Sequence, residues 1–532
     1  MIQFRYGHVA TFVPLLCTLL LTTSRVQAQI QKPTPQHAPG GVVGYVKWGF
    51  GNDNAPMQLA ANSGMTFVGV GKVRQGGEQL LWRVGAQGGQ TQLVQTTART
   101  ADLARGTFMN YVGRDTLPPL RLYTYVSSAA NGIRGTLAVG GTTKERLPIR
   151  AMKEGMAEYA VYPRALSATE RMRVESAMAL RHGITLNHSY FNSKGLVVRN
   201  YYRLKAYNHR VAGIIGDSTS CLYLSTGQSA EGEAAVRVAA KAIGEGASYL
   251  WGDNAKRLAF AADRGNGKWM RRRWAATTTG TPVAGMTLTL DTRSIRQLEP
   301  LGEGESYYLA IDNSGTGKFP VGQLRYYKAH MGQADSVTFM GISAGVGESV
   351  FTFRAAKDFF STIDVEQPRC STGAKGALRV LLTGGTPPYR LTASVDGKAV
   401  CVHATADSIV TVPSLTQGKY VIVAYDSSGK SLCSEVTLHN ADLADVPDLE
   451  DVSFAQGAER DYHLETKGNY ACRWKTPTGK YLDGRRVTLE EDGEYLVELT
   501  NDDGCSTLRT LNVTTATGDG FARYEVSPNP TR

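Results

Sequence analysis

The apolar residues of this 532-residue chain come in short segments that glycine and turn residues interrupt. Examples are GMTFVGVGKV, which begins at Gly64, and EQLLWRVGA, which begins at Glu78. Apolar runs of this length between turn signals are typical of strands, whereas helices need about 10 to 12 residues with a 3.6-residue period. The pattern therefore predicts an all-β chain whose first part is a sandwich.

One window, residues 168–181, has the signals of a capped helix. Ser167 and Glu170 have the spacing of a capping box, in which each side chain binds a backbone N–H of the first turn. Three apolar residues at helical spacing form one face, namely Val174, Ala177 and Met178. Gly183 stands where a helix-ending glycine belongs. We therefore expect one short amphipathic helix after the first sandwich.

Two segments in the last quarter of the chain repeat one pattern. GKYVIVAYDSSGKSLC, from Gly418, and GEYLVELTNDDGC, from Gly493, share a glycine, an aromatic residue, alternating apolar positions, a polar turn and a cysteine. Each segment resembles the end of an immunoglobulin-like (Ig-like) sandwich, and GGTPPYRL, from Gly384, resembles the tandem Ig-like repeats of bacterial surface adhesins. Units of roughly 75 residues are small but adequate for such sandwiches.

The N-terminal residues have the three parts of a secretory signal peptide. Arg5 supplies a basic residue, residues 9–21 form an apolar run, and Val26-Gln27-Ala28 ends in a small residue. This predicts cleavage between Ala28 and Gln29 and export to the periplasm or the cell surface. Since no other apolar run approaches membrane length, we expect no transmembrane segment after cleavage.

The segment MAEYAVYPRALSATERMRVESAMALRHGITL, from Met156, resembles the closing part of laminin-G/concanavalin-like jelly rolls in exported surface proteins of the Bacteroidota. The matching residues are Glu158, Tyr162, Arg164, Ala165, Leu166, Ser167, Glu170, Arg171, Val174, Glu175 and Gly183. GGVVGYVKWGF, from Gly40, resembles the first strand of those domains. Residues 187–361 resemble the β-rich domain that follows the jelly roll, so the resemblance implies a multidomain surface protein.

The C-terminal segment FARYEVSPNPTR resembles the opening of the sorting domain of type IX secretion cargo. The resemblance rests on Val526 and on the turn formed by Pro528, Asn529, Pro530 and Thr531. It implies surface-exposed cargo. Since the chain stops at Arg532, we expect this sorting domain to be truncated, because a dozen residues have no second strand with which to pair.

The length exceeds what one hydrophobic core organises, so several domains are expected. We predict a signal peptide (1–28), a linker (29–41), a jelly-roll sandwich (42–186), a β-rich domain (187–361), two tandem Ig-like sandwiches (362–440 and 441–515) and the start of a sorting domain (516–532).

Six of the seven cysteines follow the signal peptide, and in an oxidising compartment they favour disulfides. We predict that Cys472 pairs with Cys505, since each ends or begins a strand of one Ig-like unit. In the preceding unit, the positions of Cys370 and Cys433 favour a disulfide between these two residues. Cys221 and Cys401 are left without evident partners.

Charge is distributed unevenly along the chain. Before Ser361 there are 41 Lys and Arg against 23 Asp and Glu, whereas from Ser361 onward there are 17 against 24. A basic front half attracts polyanions such as lipopolysaccharide or acidic glycan, with an affinity that falls as salt rises. The alternative is a soluble surface that happens to be rich in arginine.

The densest basic and aromatic cluster is Lys268 to Trp274. Read as a strand, it places Lys268, Met270, Arg272 and Trp274 on one face and Trp269, Arg271 and Arg273 on the other. Because a nucleic-acid platform needs aromatic and basic side chains together on an exposed surface, we favour a structural role and expect no nucleic-acid partner.

The histidines have no zinc-site spacing, and we expect no cofactor. A structural calcium ion is the exception that we retain, because laminin-G-like sandwiches often hold one. Oxygen ligands would come from Asp312-Asn313-Ser314-Gly315 or from Asn52-Asp53-Asn54, although neither is a complete set.

We expect an exported, non-enzymatic binding or adhesion protein that recognises a glycan, an anionic polysaccharide or a surface protein through loops on rigid sandwiches. No catalytic residue is assigned. Two alternatives stay open: a carbohydrate-active hydrolase, which requires a pair of carboxylates in a cleft, and an accessory component of the type IX secretion machinery.

Overall fold

The structure is a computed structural model. It describes residues 38–516 except 52–55, 62–63, 73–77, 86–90, 103–106, 111–119, 129–132, 141–149, 152–155, 263–266, 294, 296–299, 332–334, 444–445, 447, 456–459, 467 and 503. The cleavage residues Ala28 and Gln29 and the sorting motif Pro528 to Thr531 lie outside these residues. Predictions about them therefore stay predictions.

Strands make up nearly all of the regular structure in the described residues, which confirms the predicted all-β fold. The strands form sandwiches of two facing sheets, arranged one after another along the chain. We call the successive parts the jelly-roll region (47–162), the β-rich region (190–357), the first Ig-like region (359–438) and the second Ig-like region (452–516).

The jelly-roll region has sheet orders β1-β11-β3-β8 and β2-β9-β4-β5-β6-β7, and β10 pairs with β4. Its strands are β1 (Lys47–Gly51), β2 (Met57–Ala61), β3 (Met65–Lys72), β4 (Gln79–Gly85), β5 (Thr91–Thr96), β6 (Arg99–Asp102), β7 (Thr107–Asn110), β8 (Leu120–Ser127), β9 (Ile133–Val139), β10 (Arg150–Ala151) and β11 (Met156–Tyr162).

The β-rich region has one nine-stranded sheet and one five-stranded sheet, with a separate two-stranded ribbon formed by β12 and β13. Its strands are β12 (Tyr190–Phe191), β13 (Val197–Arg199), β14 (His209–Asp217), β15 (Leu222–Leu224), β16 (Thr226–Gln228), β17 (Val236–Ala239), β18 (Ser248–Asp253), β19 (Phe260–Ala262), β20 (Lys268–Met270), β21 (Trp274–Thr279), β22 (Val283–Asp291), β23 (Glu305–Asp312), β24 (Leu324–Lys328), β25 (His330–Met331), β26 (Ser336–Ala344) and β27 (Gly347–Lys357).

The two Ig-like regions are smaller sandwiches. The first has sheet orders β28-β29-β32 and β31-β30-β33-β34, with β28 (Phe359–Glu366), β29 (Gly376–Gly384), β30 (Tyr389–Val395), β31 (Lys398–Thr405), β32 (Ile409–Leu415), β33 (Gly418–Tyr425) and β34 (Ser431–Leu438). The second has orders β35-β41-β40-β37-β38 and β36-β39, with β35 (Val452–Ala455), β36 (Asp461–His463), β37 (Tyr470–Lys475), β38 (Tyr481–Asp483), β39 (Arg486–Thr488), β40 (Gly493–Asn501) and β41 (Ser506–Ala516).

The α-helix that the sequence predicts is present as α1 (Ala168–His182). The side chain of Ser167 accepts from the Glu170 backbone N–H, and the Glu170 side chain binds back to Ser167, which completes the capping box. Gly183 ends the helix with a φ of 66°, a left-handed conformation that glycine adopts without steric cost. Single-turn 3-10 helices occupy Pro39–Gly41, Lys205–Tyr207, Ser218–Ser220, Val321–Gln323 and Ala441–Leu443.

Strand β3 is buried on both faces because it lies between two cores. Phe67 faces the second jelly-roll sheet, where its ring lies 5.5 Å from that of Trp82. Val68 and Val70 face the opposite way, into a core shared with α1 and with strands of the β-rich region. The helix therefore fills the space between the jelly-roll and β-rich regions.

A buried carboxylate sits in this shared core. Glu158 on β11 has no exposed surface; it accepts from Trp48 Nε1 at 3.0 Å, binds His182 Nε2 at 2.9 Å and pairs with Arg181. Arg181 also donates to the backbone oxygen of Cys221 at 3.0 Å. Burial alone raises the pKa of Glu158, but Arg181 and His182 outweigh burial and lower the pKa to about 2. One ionised group thus links the jelly roll, the helix and the β-rich region.

The cysteine pairing differs from the prediction. Cys370 pairs with Cys505, across 135 residues of chain, so the disulfide joins the two Ig-like regions instead of closing either one. Cys472 lies on β37 and Cys505 directly precedes β41, and β40 runs between these two strands in the sheet. Two strand spacings of about 4.8 Å exceed the usual Cα separation of a disulfide. Cys433 lies exposed on β34 and is not disulfide-bonded. A disulfide fits a protein that folds outside the cytosol.

Candidate basic groove

A groove of about 1240 Å³ lies on the β-rich region. Three segments line it: residues 206–207 before β14, residues 254–261 from the loop after β18 into β19, and residues 269–273 from β20 to the start of β21. We define the basic groove by the side chains that give it its character, namely Tyr207, Lys256, Arg257, Trp269, Arg271 and Arg273.

The Lys268 to Trp274 segment forms one wall of the basic groove, and from Trp269 onward its side chains alternate between accessible and buried positions. Met270, Arg272 and Trp274 are buried, whereas Trp269, Arg271 and Arg273 are more accessible. The segment is not a single strand, however, because β20 ends at Met270 and residues 271–273 link it to β21. Lys268, which the strand interpretation places on the buried face, is partly exposed. The inward side chains have structural roles. Trp274 stacks on Phe351 with ring centroids 5.5 Å apart, and Arg272 Nη2 lies 2.7 Å from Glu233 Oε2.

The outward side of this segment carries basic side chains next to an aromatic one. It brings Arg271 and Arg273 to the same accessible surface as Trp269, on the segment whose mixed faces the sequence predicts to be unsuitable for a nucleic-acid platform. The two faces differ in their contacts. The inward residues pack within the sheet, and the outward residues line the groove. Even on the accessible side, Trp269 and Arg273 make protein contacts, which agrees with the structural role that the sequence predicts.

The opposite wall is the loop that follows β18. Its backbone is hydrogen-bonded to the first wall. Asn254 N donates to Arg273 O at 3.1 Å, and Arg271 N donates to Ala259 O at 2.8 Å. Arg272 Nε also donates to Lys256 O at 2.5 Å. The backbone that carries the basic side chains is therefore held in place before any ligand binds.

Three exposed cations of the groove have no carboxylate partner among the residues that the structure describes: Lys256, Arg257 and Arg271. The nearby carboxylate of Asp253 is neutralised by Arg210, whose Nε and Nη2 lie 2.7 and 2.6 Å from its oxygens. None of the described lining residues is Asp or Glu. Among the residues that the structure describes, the groove therefore has positive charge that no carboxylate compensates.

Aromatic contacts fix the inner end of the groove. The Trp269 ring lies 5.3 Å from that of Phe319, and the Arg354 guanidinium lies 5.1 Å from the Trp269 centroid. Arg273 donates from Nη1 to Gly317 O at 2.6 Å and lies over the Phe319 ring at 5.1 Å. These rings are committed to protein contacts, so they form a wall and not a platform on which nucleic-acid bases stack.

The Asp312 loop does not fit the calcium site that the sequence suggested. The buried Asp312 carboxylate accepts hydrogen bonds from Ser314 N, Gly317 N and Phe319 N at 2.8, 2.8 and 3.2 Å, and from the Ser314 and Thr316 hydroxyls. Backbone N–H donors saturate the oxygens that a cation would need. The other candidate, Asn52-Asp53-Asn54, lies outside the described residues.

The predicted site residues do not meet in the groove. The cysteines Cys370, Cys433, Cys472 and Cys505 belong to the Ig-like regions. The sequence analysis singled out the Lys268 to Trp274 wall but missed Lys256 and Arg257. A basic pair in the loop after a buried strand was the available signal, but only the pairing of β18 with β21 places that loop beside Arg271 and Arg273.

Comparison with known proteins gives little further information. A family model described as a domain of unknown function, DUF8202, matches residues 170–345, from α1 to the end of β26. No curated protein matches the chain. In the part of the chain that the structure describes, no helix is long and apolar enough to cross a bilayer.

Three solved structures show the range of structural similarity. A complex of the first Ig domain of Dpr11 with DIP-gamma has 11% identity and a TM-score of 0.13, with 30% of this chain and 99% of that chain covered. The eight N-terminal Ig domains of the Down syndrome cell adhesion molecule have 9% identity and a TM-score of 0.13, with 87% and 71% covered. Trypsin-activated alpha-2-macroglobulin from Escherichia coli has 8% identity and a TM-score of 0.15, with 89% and 39% covered. We draw no conclusion from TM-scores of this size.

Proposed function

We propose that this chain is an exported, non-enzymatic binding protein of the adhesion type, and that its basic groove holds an anionic polysaccharide. The observation that carries the proposal is the group of three exposed cations, Lys256, Arg257 and Arg271, which have no carboxylate partner in the described residues. Charged groups that lack internal partners are available to a ligand's carboxylate or sulfate groups.

Other features of the chain support this ligand class. The predicted signal peptide sends the protein to compartments rich in polysaccharide, and the front half carries the excess of basic residues. The resemblance to Bacteroidota surface proteins and to type IX cargo fits display at the cell surface. Nucleic acid is a poorer ligand because Trp269 is engaged by Phe319 and Arg354 instead of offering a stacking surface.

A hydrolase is the weaker candidate for this groove. Glycoside hydrolysis usually needs two carboxyl groups on either side of the scissile bond. The described residues that line the groove supply cations, aromatic rings and amides but no carboxylate. The described part of this lining favours binding of an acidic chain over its cleavage.

The first prediction tests the groove with the triple variant K256A/R257A/R271A. We expect the wild-type protein to bind heparin, a linear anionic polysaccharide, with an affinity that falls steeply between low and physiological salt. The variant should bind about 10- to 100-fold more weakly at low salt, since each lost contact with an anion contributes about 0.5 to 1 kcal/mol. Isothermal titration calorimetry at two salt concentrations measures both quantities.

A second triple variant, K194A/R237A/K241A, is the matched control. These three residues are also exposed and in the β-rich region, and they remove the same charge outside the groove lining. Equal losses in the two variants would show that total charge, and not the groove, drives binding. Wild-type protein that binds DNA more tightly than heparin, or that binds no polysaccharide, would contradict the proposal.

A further inference from the structure

A second cavity, of about 440 Å³, adjoins the basic groove. It lies where the β-rich region meets the first Ig-like region, and two side chains, Trp269 and Arg273, line both cavities. Lys318 and Phe319 complete its wall on the β-rich side. Its other wall comes from residues 361–367 around β28 and residues 435–439 around β34. We call it the junction cavity.

The boundary between the two cavities is held in one position. Arg354, on β27, lies over the Trp269 ring on one side and over the Phe360 ring, at 4.5 Å, on the other. The same guanidinium donates to Thr362 Oγ1 at 2.8 Å and to Ser361 O at 3.0 Å. These contacts join the β-rich region to β28, so the junction cavity keeps a fixed place beside the groove.

The chemistry of the junction cavity differs from that of the groove. Its two carboxylates already have partners, since Asp364 accepts from Val321 N at 2.7 Å and Glu435 lies 2.9 Å from Lys419 Nζ. The remaining lining includes the hydroxyl of Thr437, the amide of Gln367, the imidazole of His439 and aliphatic groups, with Lys318 exposed at the edge. The hydroxyls of Ser361 and Thr362 are bonded to other protein groups. Such a surface suits the hydroxyl-bearing face of a sugar more than a further dense charge.

From this geometry we infer that the ligand is an extended polysaccharide chain that passes from the basic groove over Trp269 and Arg273 into the junction cavity. The inference rests on the proposed function and specifies it: one polysaccharide chain contacts the β-rich region and the first Ig-like region at the same time. The groove binds the acidic groups, and the junction cavity adds contacts that only a chain long enough to cross the boundary can make.

The second prediction compares heparin-derived oligosaccharides of increasing length, from a disaccharide to a dodecasaccharide, on the full chain. We expect affinity to rise by about tenfold at the length that reaches the junction cavity and then to level off, because the added sugars bind as part of a ligand already held. In the variant T437W, the tryptophan should fill the junction cavity from the outward face of β34. Long chains should then bind no better than short ones.

Short chains provide the internal control, since T437W should leave their affinity unchanged. The variant K318E, at an exposed position on the opposite wall, gives a second test that does not alter the Ig-like region, and it should also weaken only long chains. Equal affinity for all lengths in the wild-type protein, or equal length dependence in T437W, would overturn the inference while the proposed function stands. If no oligosaccharide of any length binds, the proposed function itself fails.

Discussion

Replacing Glu158 with glutamine should lower the free energy of unfolding by about 3 to 5 kcal/mol, which is the usual cost of removing one partner from a buried ion pair. Glutamine fills almost the same space, but it leaves the buried Arg181 guanidinium, whose side chain is only 4% exposed, without its carboxylate. Trp48 and His182 lose the same acceptor. Thermal and urea unfolding followed by circular dichroism measure the loss.

The variant E170Q, on the helix α1 that also carries Arg181, is the matched control. Glu170 also pairs with an arginine, Arg164, at 2.7 Å, but both side chains are about a third exposed. Solvent screens this pair, so we expect a loss of about 1 kcal/mol, which includes the weakened capping box. Similar losses in E158Q and E170Q would contradict the view that Glu158 is a buried structural charge.

Acid titration tests the same carboxylate through its charge. The pKa of Glu158 is about 2 in the folded chain against an ordinary value of 4.5, so the unfolded chain takes up this proton first. The stabilisation is therefore complete above pH 4.5 and is lost as the pH falls toward 2. The difference in stability between wild type and E158Q should shrink over this range. A constant difference across it would show that Glu158 is not ionised in the fold.

The sequence predicted local features well, because their causes lie within a few residues. The capping box and Gly183 lie within or beside α1, and the alternating burial from Trp269 to Trp274 is a property of neighbouring residues. The sequence also marked Glu158 through a resemblance. It did not reveal that the carboxylate meets Arg181 inside a core, because that contact depends on how α1 packs on β11.

Features that form between segments distant in sequence could not be predicted, because they depend on how those segments pack. The basic groove needs the loop after β18 to lie beside β20, and only the register of the sheet brings these segments together. The predicted pairing is wrong because it assigns Cys370 and Cys505 to partners within their own Ig-like units. Cys370 precedes β29 and Cys505 precedes β41. Only the packing of the two sandwiches against each other brings these two residues together.

Removing the disulfide with the double variant C370S/C505S should have the second large effect on stability. Under the chain-entropy model, a crosslink across the observed 135 residues stabilises the folded chain by about 4 to 5 kcal/mol. The regions share other contacts, such as Lys419 Nζ with Glu494 Oε1 at 2.6 Å. These exposed contacts are weak, so the two Ig-like regions should unfold at a lower temperature and accept proteolytic cleavage between them.

The variant C433S separates the observed pairing from the predicted one. If Cys433 were the partner of Cys370, C433S would break a disulfide and should lower the free energy of unfolding by about 2 to 4 kcal/mol. With the observed pairing, C433S removes only an exposed thiol and should change the melting temperature very little. Peptide mapping under non-reducing conditions gives the same answer directly, and a Cys472 to Cys505 peptide would contradict the structure.

The double variant also separates stability from ligand binding. The basic groove and the junction cavity are lined by the β-rich region and the first Ig-like region, and neither cavity includes Cys370 or Cys505. At a temperature where C370S/C505S is still folded, it should therefore bind heparin with wild-type affinity and wild-type dependence on chain length. If it instead loses the length dependence, the second Ig-like region must be holding the junction cavity in place, and the disulfide would belong to the binding machinery.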